Sequence, residues 1–358
     1  MGGNLLKTWN LPEKRIPTSE YNQIKDELCN KFQTDFSCNR PVCGTRAYVA
    51  PSIRDKETHG DLDIIIGRFT DVDIHMMWKG EHDFGKYLEK EFGYKPFKNS
   101  NVYSFPYQGF QVDVTFHPLE YVNMAINYSS WGDLGNIMGR IFHKMGLHFG
   151  HAGLSFWIRQ GLFDKNVQWS DSDHIYHKTV LTTNMMDICE IGGFNHFRWK
   201  RGFDTEKDAF DFVIKSKYFN KELFALENLN HTDRTRNRKR GMYMRFVEYV
   251  ANCDVVGEPF LSKHEYSLIM QCRYPQLQHD INKFRLDYEI NKVIKEKVNG
   301  RLVAEWCGCT PENDGRVIGK HMNEVCKIPT HTLLEMSQEK IKQFVVDLCK
   351  KSANVAAS

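Results

Sequence analysis

His59-Gly60-Asp61-Leu62-Asp63-Ile64-Ile65-Ile66 is the stretch on which the reading of this chain turns. Along a strand, side chains alternate between faces, so Asp61 and Asp63 share one face while Leu62, Ile64 and Ile66 share the other. The apolar face calls for a core. The acidic face holds two like charges close together, which repel unless a divalent cation lies between them, so the pair reads as half of a metal site. A second alternating segment, Phe110-Gln111-Val112-Asp113-Val114-Thr115-Phe116, places a third carboxylate, Asp113, on its polar face. Three acidic groups on two neighbouring strands suit a centre that holds two cations and transfers a phosphoryl group.

Working outward, Gly44-Thr45 precedes the acidic strand. A glycine followed by a small hydroxyl residue lets backbone N–H groups and one O–H approach a polyphosphate that a larger side chain would block. Thr18 or Ser19 can cap a helix running to about Phe32, a helix around Glu81–Phe92 ends at Gly93, and Val102–Phe105 with Gly109–Phe116 reads as a hairpin. Strands alternating with helices indicate a mixed unit of both. Asp71 and Asp73 repeat the acidic spacing, but no apolar run follows them, so they read as loop residues or the start of a helix. His59 is read as shaping the turn rather than binding metal.

From Trp131 the periodicity becomes helical. Ile137, Ile141 and Met145 recur as a buried stripe, and Arg140, Lys144 and His148 share another face, which is either solvated or reaches phosphates. Further helices are expected over 205–219, 243–251, 281–298 and 337–350. Phe194, Phe197, Trp199 and Phe203 read as core packing. The run Arg234-Thr235-Arg236-Asn237-Arg238-Lys239-Arg240, followed by Tyr243 and Arg245, can hold a phosphate backbone beside aromatics, or be a solvated charged face. Cys307-x-Cys309 with Cys326 and His321 or His331 supplies soft donors, but the spacing matches no paired-knuckle zinc pattern; the ten cysteines are scattered, and most of them are expected to be reduced, buried small hydrophobes.

On these residues the chain resembles the nucleotidyltransferase superfamily that includes DNA polymerase beta and the other family X polymerases. The likeness rests on Gly44-Thr45, Asp61-Leu62-Asp63 and Asp113, with Gly60 just ahead of the acidic pair. It continues through Pro118, the aromatic-rich Ala125–Gly132 turn, Arg140 and Gly153-Leu154, covering roughly residues 38–165. The resemblance implies an α+β fold: a polymerase-beta-like palm with a mixed sheet flanked by helices, then a mainly helical C-terminal domain. The segments would be 1–34 (extension and helix), 35–165 (palm) and 166–358 (helical domain). Asp314–Met322 is similar to a glycine-spaced helix start in the helical body of tRNA nucleotidyltransferases.

The resemblance also implies a role for each residue. Asp61, Asp63 and Asp113 would be catalytic and hold two Mg²⁺ ions, with Mn²⁺ as a substitute. Gly44, Thr45, Arg46, Gly60, Arg140 and Lys144 would contact the nucleoside triphosphate. Outside the stretch of resemblance, the basic run itself makes Arg234, Arg236, Arg238, Lys239 and Arg240 the candidates to contact a DNA or RNA acceptor. The loop between Gly44 and Asp61 is longer than in the polymerases, which leaves Arg46 and Arg54 both open as the triphosphate arginine. Thr45 stands for the usual serine, and Gln111 where the polymerases often carry arginine. The segment ahead of the palm is too short for the N-terminal lyase domain of polymerase beta. The same palm also adenylylates proteins and small molecules, and an idle nucleic-acid-binding member is a third reading.

Composition fits a globular chain of two domains: 358 residues, 41% apolar and 26% charged. A net charge of +3 permits a nucleic-acid partner without requiring one. No apolar run is long enough for a membrane span, and no secretory leader is evident, so an intracellular, reducing compartment (cytoplasmic or nuclear) is expected.

Overall fold

The segment opening with the two carboxylates is a strand inside a five-stranded sheet. The computed structural model describes residues 4–36, 46–68, 82–163, 174–308 and 315–356. Along the chain, β1 is Ile16–Pro17, β2 Ala47–Val49, β3 Thr58–His59, β4 Asp61–Arg68, β5 Phe97–Asn99, β6 Val102–Tyr107 and β7 Phe110–Pro118. The larger sheet has the order β2-β4-β7-β6-β5. β4 and β7 run parallel and the other neighbours antiparallel, so the sheet is mixed. The expected hairpin is β6–β7. Its two turn residues, Gln108 and Gly109, both have positive φ (51° and 74°), the handedness that matches strand twist.

Period-two alternation gives this sheet two unlike faces. Leu62, Ile64, Ile66, Val112 and Val114 are buried on one face, against Tyr21, Ile24, Leu28 and Phe32 of the helix Thr18–Phe36 and Phe84 and Leu88 of the helix His82–Phe92. That second helix stops before Gly93 at φ +76°, as the sequence led one to expect. On the other face Ile65 packs against Val122 and Ala125 of the helix Leu119–Ser129. Gly67 permits this approach, because a Cβ there would lie 2.7 Å from Leu119 Cδ2 and 2.9 Å from Val122 Cγ2. Helices therefore flank both faces, and the fold is mixed α+β.

The chain forms two compact units, residues 1–157 with 178–274, and residues 158–177 with 275–358. In the first, the helix Leu134–Lys144 buries Ile137 and Ile141 completely, and Met145 caps it. The helix ends there, and Gly146 turns the chain at φ +80°. His148 therefore lies on a strand, β8 (Leu147–Gly150), and does not share a helical face with Arg140 and Lys144. β9 (Gly153–Arg159) and β10 (Ile175–Thr182) complete a three-stranded sheet of order β10-β9-β8. The helix expected over 205–219 is shorter, Glu206–Ile214, with Thr205 and Asp208 forming a capping box. It stops because Lys217 N–H leaves the helical ladder for the Gly193 carbonyl at 2.9 Å. Phe194, Trp199 and Phe203 are buried as expected, but Phe197 is 83% exposed.

The second unit has the helices Pro275–Lys297, Gly300–Cys307, Gly315–Cys326, Thr330–Glu335 and Gln338–Ala356. One core cluster there is aliphatic, Val298, Val303, Val325, Leu333, Ile341 and Val345, and Leu277, Ile281 and Tyr288 are buried as well. Among the described residues, no helix is long and apolar enough to cross a membrane.

Ile64 is fully buried and Asp61 only partly so, two side chains on opposite faces of one strand. Ile64→Ala is expected to cost about 2–5 kcal/mol of stability, read from urea denaturation. An unchanged midpoint would mean that this face carries no core.

Candidate functional site

Strand register assembles the acidic cluster. In the parallel β4–β7 pair, Asp63 is opposite Asp113 and Asp61 is opposite Gln111. Paired residues on adjacent strands lie about 4.8 Å apart and point to the same face. Asp61, two residues before Asp63, shares that face as well. The structure thus brings together the three carboxylates that the sequence singled out.

The surroundings hold Asp113 and shift both it and Asp63. Gln111 Nε2 donates to both oxygens of Asp113, at 3.2 and 2.9 Å, and its Oε1 accepts from Leu5 N–H at 3.0 Å. Ser104, paired with Asp113 across β6–β7, donates a further hydrogen bond to it. Burial pushes the Asp113 carboxyl up to about 6 and the charge of Asp61 adds to this, while Ser104 and Gln111 hold it back. Asp63 is reached by solvent yet closely ringed by protein. That enclosure, then the charges of Asp61 and Asp113, push its carboxyl well above the ordinary range. Three hard oxygen donors that resist sharing a negative charge are the donor set a magnesium-class ion takes.

A cation that the sequence reading passed over lies near them. Lys56 is an exposed residue, yet protein crowding around its ammonium lowers it, and the fields of Asp61 and Asp63 partly offset this. Lys56 comes from the loop before β3, which is pinned where it runs into that strand. Ile16 pairs with His59 and Pro17 with Thr58, while Thr18 N–H donates to Glu57 O at 3.0 Å. His59 is buried and stacks on Tyr21 with ring centroids 3.7 Å apart, and its Nε2 lies 3.2 Å from Thr18 Oγ1. Burial, with Lys56 and Arg15 nearby, lowers its imidazole to about 4. It shapes the turn, as the sequence suggested. Lys56 had no motif to announce it.

The remaining candidates are dispersed. Gly44 and Thr45 lie outside the described residues, as do Asp71, Asp73 and Cys309. Arg46 is exposed next to β2, and its carbonyl accepts from Gly67 N–H at 3.4 Å. Gly60 is buried between β3 and β4. Arg54 is held by Asp204 and by the Arg201 carbonyl. Arg140 pairs with Asp233 at 2.8 Å and donates to Leu223 O at 3.4 Å, so its guanidinium serves a contact between helices. Lys144 is exposed at the helix end. Within the basic run, Arg234 donates to the Leu229 carbonyl at 2.8 Å and Arg240 pairs with Asp133. Arg236, Arg238 and Lys239 stay exposed.

Compared with known proteins, the chain matches no protein-family model and no curated protein.

The carboxyl shifts set a pH signature for the protein kept free of divalent ions. A carboxyl raised in the folded state favours folding at low pH and loses that contribution as pH rises through its folded value. Stability is therefore expected to fall from the ordinary carboxylate range upward through pH 6 and beyond, in thermal melts recorded with chelator. Asp63→Asn should flatten that slope, and Mg²⁺ should restore stability at the alkaline end. A slope indifferent to both would remove the electrostatic basis of the site.

Proposed function

We propose that the chain is a metal-dependent nucleotidyltransferase, moving a nucleoside monophosphate from a nucleoside triphosphate to a hydroxyl and releasing pyrophosphate. The acceptor favoured is the 3′-hydroxyl of DNA or RNA. The observation that carries this reading is the parallel register that sets Asp63 across from Asp113 with Asp61 beside them. Asp61 and Asp63 would hold two Mg²⁺ ions, and Asp113 would share one of them. When bound, such ions neutralise the charge of the phosphates.

In the reaction, the acceptor oxygen bonds to the α-phosphorus, the bond to the β-phosphate bridge breaks, and the pyrophosphate carries that electron pair away. Asp113, with its carboxyl near 6, is suited to take the proton of the acceptor hydroxyl at neutral pH. Lys56 supplies positive charge beside the carboxylates, where a triphosphate would need it. The protein aligns the reactants and performs little covalent work.

Incubation with each labelled triphosphate, Mg²⁺ or Mn²⁺, and DNA and RNA primers tests the reading. Primer extension is expected, and Asp61→Ala should lower it by at least about a hundredfold. The same substitution should not lower stability in urea, because it removes one of the charges that repel Asp63 and Asp113. A fully active Asp61→Ala protein would overturn the assignment. Label on the protein or on a small acceptor would move the reaction to adenylylation.

The exposed cations give a second test. Replacing Arg236, Arg238 and Lys239 with alanine should weaken single-stranded nucleic-acid binding uniformly across sequences. The slope of log affinity against log salt should drop by about 0.7 for each phosphate that the variant no longer neutralises. An unchanged slope would remove the run from the acceptor surface.

A further inference from the structure

The helical unit contains a cluster of a different chemical kind. Cys307, His321 and Cys349 bring one donor atom each to within 4.8 Å of one another. Each comes from a different helix, Gly300–Cys307, Gly315–Cys326 and Gln338–Ala356, and these three helices pack pairwise. All three donors occupy positions of the core-facing stripe. Cys307 follows Val303 by four residues, Cys349 follows Val345 by four, and His321 precedes Val325 by four. The structure joins the two sulfurs as a disulfide with a Cα separation of 6.1 Å.

A sulfur–sulfur bond does not account for the third member. A disulfide requires no other donor, yet His321 is only 2% exposed on an otherwise aliphatic stripe, with a ring nitrogen beside both sulfurs. An imidazole and two thiolates are the donor set of a borderline-soft divalent ion rather than of magnesium. An ion there would tie together three helices that share one apolar cluster, Val298, Val303, Val325, Leu333, Ile341 and Val345.

We propose that Cys307, His321 and Cys349 form a structural zinc-class site, with both cysteines present as thiolates, stapling the three C-terminal helices. The site is separate in residues and chemistry from the carboxylate cluster and does not rest on the function proposed for it. Cys326 lies outside the cluster and Cys349 takes its place. Sequence spacing could not show this, because Cys349 is 42 residues from Cys307.

The test uses the full chain purified under reducing conditions without added chelator. Elemental analysis is expected to find about one zinc per chain. Cobalt(II) exchanged into the site should give thiolate charge-transfer absorption. Cys349→Ser and His321→Leu should each reduce zinc content at least tenfold, while His321→Cys, which restores a soft donor, should keep it. Zinc should also persist in an Asp61→Ala/Asp63→Ala protein. If the cysteines are instead recovered as a bonded pair without metal, and His321→Leu leaves that pair intact, the proposal is overturned. Zinc that is lost with Asp61 and Asp63 but kept in Cys349→Ser overturns it equally.

Discussion

Repulsion among three carboxylates on one sheet face is the constraint around which the first unit is organised. Parallel pairing of β4 and β7 sets Asp63 opposite Asp113, so the charges cannot separate without breaking the ladder. The protein eases the strain in two ways. Gln111 and Ser104 donate hydrogen bonds to Asp113, and Lys56 brings a positive charge toward Asp61 and Asp63. Neither removes the conflict, since Asp63 and Asp113 both remain raised. Carboxylates held this way repel less when a cation lies between them.

What enforces the register is the opposite face. Leu62, Ile64 and Ile66 on β4 and Val112 and Val114 on β7 are all buried in one apolar cluster with two helices. A one-residue slip of either strand would turn that apolar set toward the acidic side, at a cost of about 1.5–3 kcal/mol for each large side chain exposed. Hydrophobic burial on one side therefore supplies the free energy that holds the charges together on the other. Gly67 contributes from the acidic side, because its missing side chain lets the helix Leu119–Ser129 close on the sheet beyond the carboxylates.

Local patterns were legible in the sequence wherever period and burial agree. The alternation of β4 and β7, the hairpin of β6 with β7 and the stop at Gly93 all follow from local rules. Non-local arrangements were not. Nothing in the chain announces that Lys56 lies within the field of the carboxylates, because a lysine in a polar loop has no pattern of its own. The strands β8–β10 were hidden for a related reason. β10 alternates poorly, with one buried residue among eight, so its periodicity resembles a loop. His148 shows the limit of spacing arguments: its distance from Lys144 is helical, but Gly146 turns the chain between them.

The basic run shows how one stretch of charge can divide its labour. Arg140 reaches from the helix Leu134–Lys144 to Asp233, and Arg240 reaches back to Asp133 at the start of that same helix. Asn136 and Asn237 add a hydrogen bond at 3.1 Å between the two ion pairs. These partly buried, reciprocal contacts lock the segment 231–240 onto the helix. That helix in turn packs against Leu119–Ser129, which closes on the sheet. Arg236, Arg238 and Lys239 are thereby fixed in place relative to the acidic cluster rather than carried on a loose arm. Cations held at a set position can orient a phosphate chain as well as attract it, because little further ordering entropy is lost when the chain arrives.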